Sequence, residues 1–200
     1  MKNKSTLFLL AAFLITAGLF AQKTETVFNI FLKEKNIGTV RAMEIKSGTK
    51  STKDLHTLSD TKFLCIQVHL EMDMNTISDN GVLVQGTAYK HANRGTEDVH
   101  AVTKKTGPSS YTVQRNGETS VLNNKVIRMC VADLYFTEPK GITTVFSNMY
   151  AQDVPIKAVG PGKYELTTPN DKTTTYTYQN GKLMTIVADT PAGEAVTKRM

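Results

Sequence analysis

The sequence predicts a mainly β protein, an antiparallel curved sheet closing into a barrel or half-barrel, and three features carry that prediction. First, Asn-Gly stands at Asn80-Gly81, Asn116-Gly117 and Asn180-Gly181, each time between β-prone runs. This pair is favoured in two-residue hairpin turns, where both central residues take positive φ. Second, Leu64 to Met74 alternates with period two: Leu64, Ile66, Val68, Leu70, Met72 and Met74 point one way, and Cys65, Gln67, His69, Glu71 and Asp73 the other. Third, no Gly/Ser linker, composition shift or internal repeat divides the chain, which suits a single domain over residues 22–200.

The first 21 residues are expected to be a cleavable signal peptide. Lys2 and Lys4 supply a basic start, and Leu7 to Leu19 is apolar except for Thr16. That core has the length of a secretory segment and is short for a membrane span. Ala21-Gln22 is the expected cleavage point, with Gly18 the alternative. The protein is therefore expected in the periplasm or outside the cell, and not membrane-spanning after processing. Losing Lys2 and Lys4 lowers the formal charge from +6 to +4. The remaining Lys and Arg are dispersed rather than gathered beside aromatics, so nucleic acid is not an expected partner.

Strands are expected along the whole mature chain, at Thr26–Leu32, Gly38–Lys46, Leu64–Met74, Val82–Ala92, Glu97–Lys104, Tyr111–Arg115, Thr143–Ser147, Ile156–Val159, Tyr164–Thr168 and Ala195–Lys198. The clearest hairpin runs from Thr173 through Asn180-Gly181 to Val187. A two-residue loop there sets Tyr178 opposite Leu183, Tyr176 opposite Thr185 and Thr175 opposite Ile186. Tyr176, Tyr178, Leu183 and Val187 then share one face, with Met184 and Ile186 on the other. A sheet with one face in water should alternate more cleanly than that. One segment breaks the β pattern: Ile127, Cys130, Val131 and Leu134 recur at helical spacing, which predicts one short helix near residues 126–136. Asn123 or Asn124 would cap it, and Pro139 would end it.

Chemical motifs are scarce. None of His56, His69, His91 and His100 forms the paired spacing of a dedicated zinc site, so no metal or cofactor is expected. There is no Gly-x-Ser-x-Gly elbow, and Gly160-Pro161-Gly162-Lys163 lacks the spacing of a phosphate loop and reads as a turn. No catalytic residue can be named. Triads are recognised by geometry rather than spacing, which leaves a hydrolase as a third-ranked reading. The two cysteines, Cys65 and Cys130, are a disulfide candidate in an oxidising compartment. The alternatives are a reactive thiol or two unpaired small hydrophobes.

Leu134-Tyr135-Phe136-Thr137-Glu138-Pro139 with Phe146-Ser147, the early Ile37-Gly38-Thr39 and the closing Tyr178-Gln179-Asn180-Gly181-Lys182-Leu183 form an ordered set. The set resembles a family of uncharacterised secreted Gram-negative envelope proteins, a domain of unknown function. More loosely, the layout is similar to periplasmic lipoprotein-carrier half-barrels, in which a curved sheet and short helices enclose an apolar cavity. That likeness concerns the fold and implies no activity. The leading functional expectation is a binding or carrier module for an apolar small molecule or lipid. Leu134, Tyr135, Phe136, Tyr176, Tyr178 and Val187 would line its site, with Met72, Met74 and Met184 as adaptable packing. The alternative is an envelope module that binds another protein through its sheet. A carrier requires an open apolar cavity of a few hundred Å³, whereas an interaction module has a filled interior and exposed apolar surface.

Overall fold

The structure is a computed structural model of the chain and describes residues 21–63, 66–94, 97–190 and 192–200. The expected signal peptide, up to residue 20, lies outside the described residues, as does Cys65. Among the described residues the N-terminal strands are β1 (Gln22–Leu32), β2 (Lys35–Ser47), β3 (Lys50–Phe63), β4 (Ile66–Asp79), β5 (Val82–Ala92), β6 (Val99–Gly107), β7 (Ser110–Arg115) and β8 (Glu118–Leu122). The C-terminal strands are β9 (Thr144–Ser147), β10 (Gln152–Gly160), β11 (Lys163–Thr167), β12 (Thr173–Gln179), β13 (Lys182–Thr190) and β14 (Gly193–Arg199). All belong to one antiparallel sheet that is curved and open, bounded by β8 and β9.

Turn chemistry explains the local order. Asn80, Asn116 and Asn180 take φ of 49°, 49° and 51°, and the glycines after them 69°, 88° and 75°. These left-handed pairs match the strand twist and close β4–β5, β7–β8 and β12–β13. Two meanders result. One runs from β1 out to β8, the other from β9 in to β14, and they join where β1 pairs with β14. The first and last strands of the domain therefore lie side by side at the middle of the sheet.

The chain must return from the β8 edge to the β9 edge across 21 residues, from 123 to 143. Laid flat, fourteen strands spaced at about 4.8 Å would separate those edges by roughly 60 Å. The curled sheet needs far less, and the return segment runs through its concavity. There it forms a single 3₁₀ turn, Val131–Tyr135, which touches β3, β4, β9 and β13.

This replaces the helix expected near 126–136. Residues 126–130 stay extended because tertiary partners take their backbone groups. The Tyr111 hydroxyl accepts from the Ile127 N–H, Ile127 O accepts from the Leu83 N–H, and Met129 O accepts from the Phe146 N–H. The helical spacing also splits between two cores. Ile127 and Cys130 join Leu83, Tyr111, Val113 and Phe146, while Leu134 enters the main core with Phe28, Leu55 and Tyr178. Asn124 turns the chain at φ 52° instead of capping a helix.

The concave face carries the main core: Phe28, Val40, Ala42, Leu55, Met74, Ala88, Ala101, Tyr164, Tyr176, Tyr178, Leu183 and Ile186 are all buried. In the last hairpin Tyr178 faces Leu183 as expected, but a register shift follows, so Tyr176 faces Ile186 and Thr175 faces Val187. This bulge corrects the expected face assignment. Ile186 joins Leu183 and the tyrosines inside, and Val187 moves to the opposite face. A bulge inserts one residue and inverts every side chain beyond it. Val187 there pairs with Val196 of β14.

Candidate functional site

Three places combine chemistry with geometry: the return segment against the closing tyrosines, a pocket where that segment meets β9, and the outer face of β3 to β6.

At the first, the expected site residues meet, but they fill space. Leu134 is fully buried, and its carbonyl accepts from the Tyr178 hydroxyl at 2.6 Å. The Tyr164 hydroxyl donates to Glu138 Oε1 at 2.9 Å, and the Tyr164 and Tyr178 rings stack edge-on at 5.7 Å. Tyr135 sets its ring edge-on to Phe28 at 5.6 Å. Burial raises the hydroxyl pKa of Tyr135, Tyr176 and Tyr178, so they serve as packing groups rather than as acids or bases, and Tyr178 adds its bond to the Leu134 carbonyl. Tyr135 and Phe136 remain half-buried at the rim with Ile37. Val187 lies on the other face of the sheet and does not join them.

Charge anchors the 3₁₀ turn from below. Lys53 Nζ lies 2.8 Å from Asp133 Oδ1 and 3.3 Å from Glu44 Oε1. The same ammonium donates to Ser51 Oγ at 3.1 Å. Asp133 also accepts from the Cys130 N–H at 2.6 Å. Burial alone would depress the Lys53 pKa, but Asp133 and Glu44 outweigh it and raise it. Burial likewise works against the Glu44 carboxylate, and Lys46 with Lys53 more than offsets it, so the Glu44 pKa falls. Cys130 is buried, and desolvation pushes its thiol well above the usual range, which removes the reactive thiolate reading for this position.

The second place is a pocket of about 190 Å³ lined by Val126, Met129, Ile142 and Phe146, with Lys125, Arg128 and Asp153 around it. Val126 and Ile142 are 43% and 37% exposed. Lys125 at its edge is ion-paired with Asp153.

On the outer face, antiparallel pairing brings together groups that sequence spacing kept apart. His56 on β3 lies directly opposite Asp73 on β4, with Nδ1 2.5 Å from Asp73 Oδ1. Glu71 is the next residue on that face, and one ligand atom each of His56, Glu71 and Asp73 lies within 4.8 Å of the others. His69 pairs with Asp60 at 2.9 Å and His91 with Asp98 at 2.9 Å. His100 stands opposite Tyr89. All four histidines of the chain thus share the outer face. Motif spacing along one strand could not reveal this, because the partners come from neighbouring strands. The readable signal is the hairpin register, but β3 is not among the strands the sequence predicts.

The family described as Domain of unknown function (DUF6134) matches residues 28–200, from within β1 to the last residue. The chain belongs to this family. No curated protein and no solved structure matches the chain. Among the described residues no helix is long and apolar enough to cross a membrane.

Proposed function

We propose that this DUF6134 domain is an interaction module of the cell envelope that receives an apolar side chain of a partner protein in the pocket between the return segment and β9. The observation that carries the reading is the pocket itself. Its volume, about 190 Å³, is below the roughly 300–1,000 Å³ of small-molecule sites and suits one or two side chains. Exposed Val126 and Ile142 give it an apolar lip, and exposed Arg128 beside them favours an acidic group flanking the inserted side chain. The basic start and short apolar core of residues 1–21 support export to the envelope.

A photo-crosslinking residue at position 126 in the native host tests this. The reading expects one discrete protein adduct, lost when Ile142 is changed to Arg and absent when the crosslinker sits at exposed Val159. No adduct at 126, or equal adducts at 126 and 159, would overturn it. The carrier reading stands second, supported by the half-buried rim of Ile37, Tyr135 and Phe136. Saturable binding of a fluorescent fatty acid, weakened by Phe136→Asp, would bring it forward.

A further inference from the structure

We propose that the outer face of β3 and β4 holds a divalent transition-metal site, with His56, Glu71 and Asp73 as its protein ligands and Zn²⁺ as the ion it suits best. It lies on the sheet face opposite the core, and it stands or falls independently of the pocket.

One imidazole nitrogen and two carboxylate oxygens form a mixed donor set of the kind that binds zinc, whereas magnesium and calcium favour oxygen alone. The ligand atoms already lie within 4.8 Å of one another. A tetrahedral ion with bonds of about 2.1 Å holds its ligand atoms roughly 3.4 Å apart, so small side-chain rotations would suffice. The backbone places them without strain. His56 and Asp73 are direct cross-strand neighbours, and Glu71 follows two residues before Asp73 on the same face.

The ion would replace the His56–Asp73 hydrogen bond, which spans 2.5 Å, and the two side chains would part by about 1 Å to admit it. In the neutral ring one proton bridges Nδ1 and Asp73. On binding, the ion takes that place, Nδ1 coordinates through its lone pair, and the ring proton moves to Nε2. No proton needs to be lost from the neutral pair. Two surroundings shape the site. Arg41, opposite His56 on β2, is a nearby cation, but Glu25 engages it at 2.7 Å. His91, opposite Glu71 on β5, is a neighbouring imidazole that would complete the coordination by leaving Asp98. With side chains of His56 and Asp73 45% and 46% exposed, water can fill any open position.

Isothermal titration of tag-free protein with Zn²⁺ tests the proposal. The expected result is one Zn²⁺ per chain, an upward shift of the unfolding temperature, and no saturable response to Mg²⁺. His56→Ala and Asp73→Asn should each weaken Zn²⁺ binding by at least the roughly tenfold that loss of an outer-shell partner already costs. His69→Ala, which breaks a His–Asp pair outside the three-ligand cluster, should leave it unchanged. Asp73→Asn is nearly isosteric and keeps the test sound if His56→Ala folds poorly. No saturable Zn²⁺ binding by the wild type, or equal affinity in wild type and Asp73→Asn, would overturn the proposal.

Discussion

Lys53 makes the concave face expensive to disturb. Its ammonium sits almost fully buried between Glu44 and Asp133, so removing it strands two carboxylates in a dry place. Lys53→Ala should lower stability by about 3 kcal/mol, toward the low end for a broken buried pair because Lys46 still faces Glu44. Chemical unfolding measures it. The same cluster sets an acid limit. Glu44 has a depressed pKa in the fold, so its contribution is present above the ordinary Glu value of about 4.3 and is lost as pH falls through the folded value. Lys53, raised in the fold, contributes fully below about 10.4 and loses that contribution as pH climbs through its folded value. Unfolding midpoints measured between pH 3 and 7 should therefore fall less steeply in Glu44→Gln than in the wild type. A second residue-scale test lies at Gly86. Thr76 and Thr103 flank it on the neighbouring strands, and the Asn148 carboxamide occupies the space a Cβ would need. Gly86→Ala should cost about 1–3 kcal/mol, and Asn148→Ala should relieve part of that cost. Strict additivity of the two changes would contradict the packing account. Neither cluster was legible in the sequence, because Lys53, Thr76 and Asn148 look like ordinary polar residues until the sheet curls over them.

Among the elements, the return segment decides most. Tyr111 donates to Leu83 O at 3.0 Å and accepts from the Ile127 N–H at 3.3 Å, tying β5, β7 and residues 126–130 together. Tyr111→Phe should lower stability by about 2 kcal/mol, a fall of roughly 4–8 °C in Tm for a domain of this size. If the pocket depends on that tie, crosslinking from position 126 should weaken as well. The helical reading of this segment failed because local spacing cannot see that Leu83 and Phe146 offer its backbone better partners than its own next turn. Strand β3 was missed for a related reason. Its inward residues Lys53, Thr57 and Ser59 are polar yet buried, and Leu55 and Leu58 are three residues apart, so no alternation showed. Where turn chemistry was explicit, at the three Asn-Gly pairs, the hairpins appeared where expected. The bulge near Met184 left no such mark and cost the face assignment of Val187.

For the whole molecule, the antiparallel meander was legible because it is written locally, in turns and in period-two runs. Closure was not, since it depends on where a 21-residue return segment finds its partners. That segment packs Leu134 and its aromatic neighbours against the concave face, where the expected lining residues Tyr176 and Tyr178 are buried at 5% exposure each. An interaction module of this design carries its apolar site in the small peripheral pocket and holds no ligand against the concave face. Native mass spectrometry of the protein purified without detergent from its exporting cell tests this most directly. The expected spectrum shows the mass of the processed polypeptide, bare or with a single metal ion. One apolar small molecule per chain, retained in the native spectrum and released on unfolding, would contradict it.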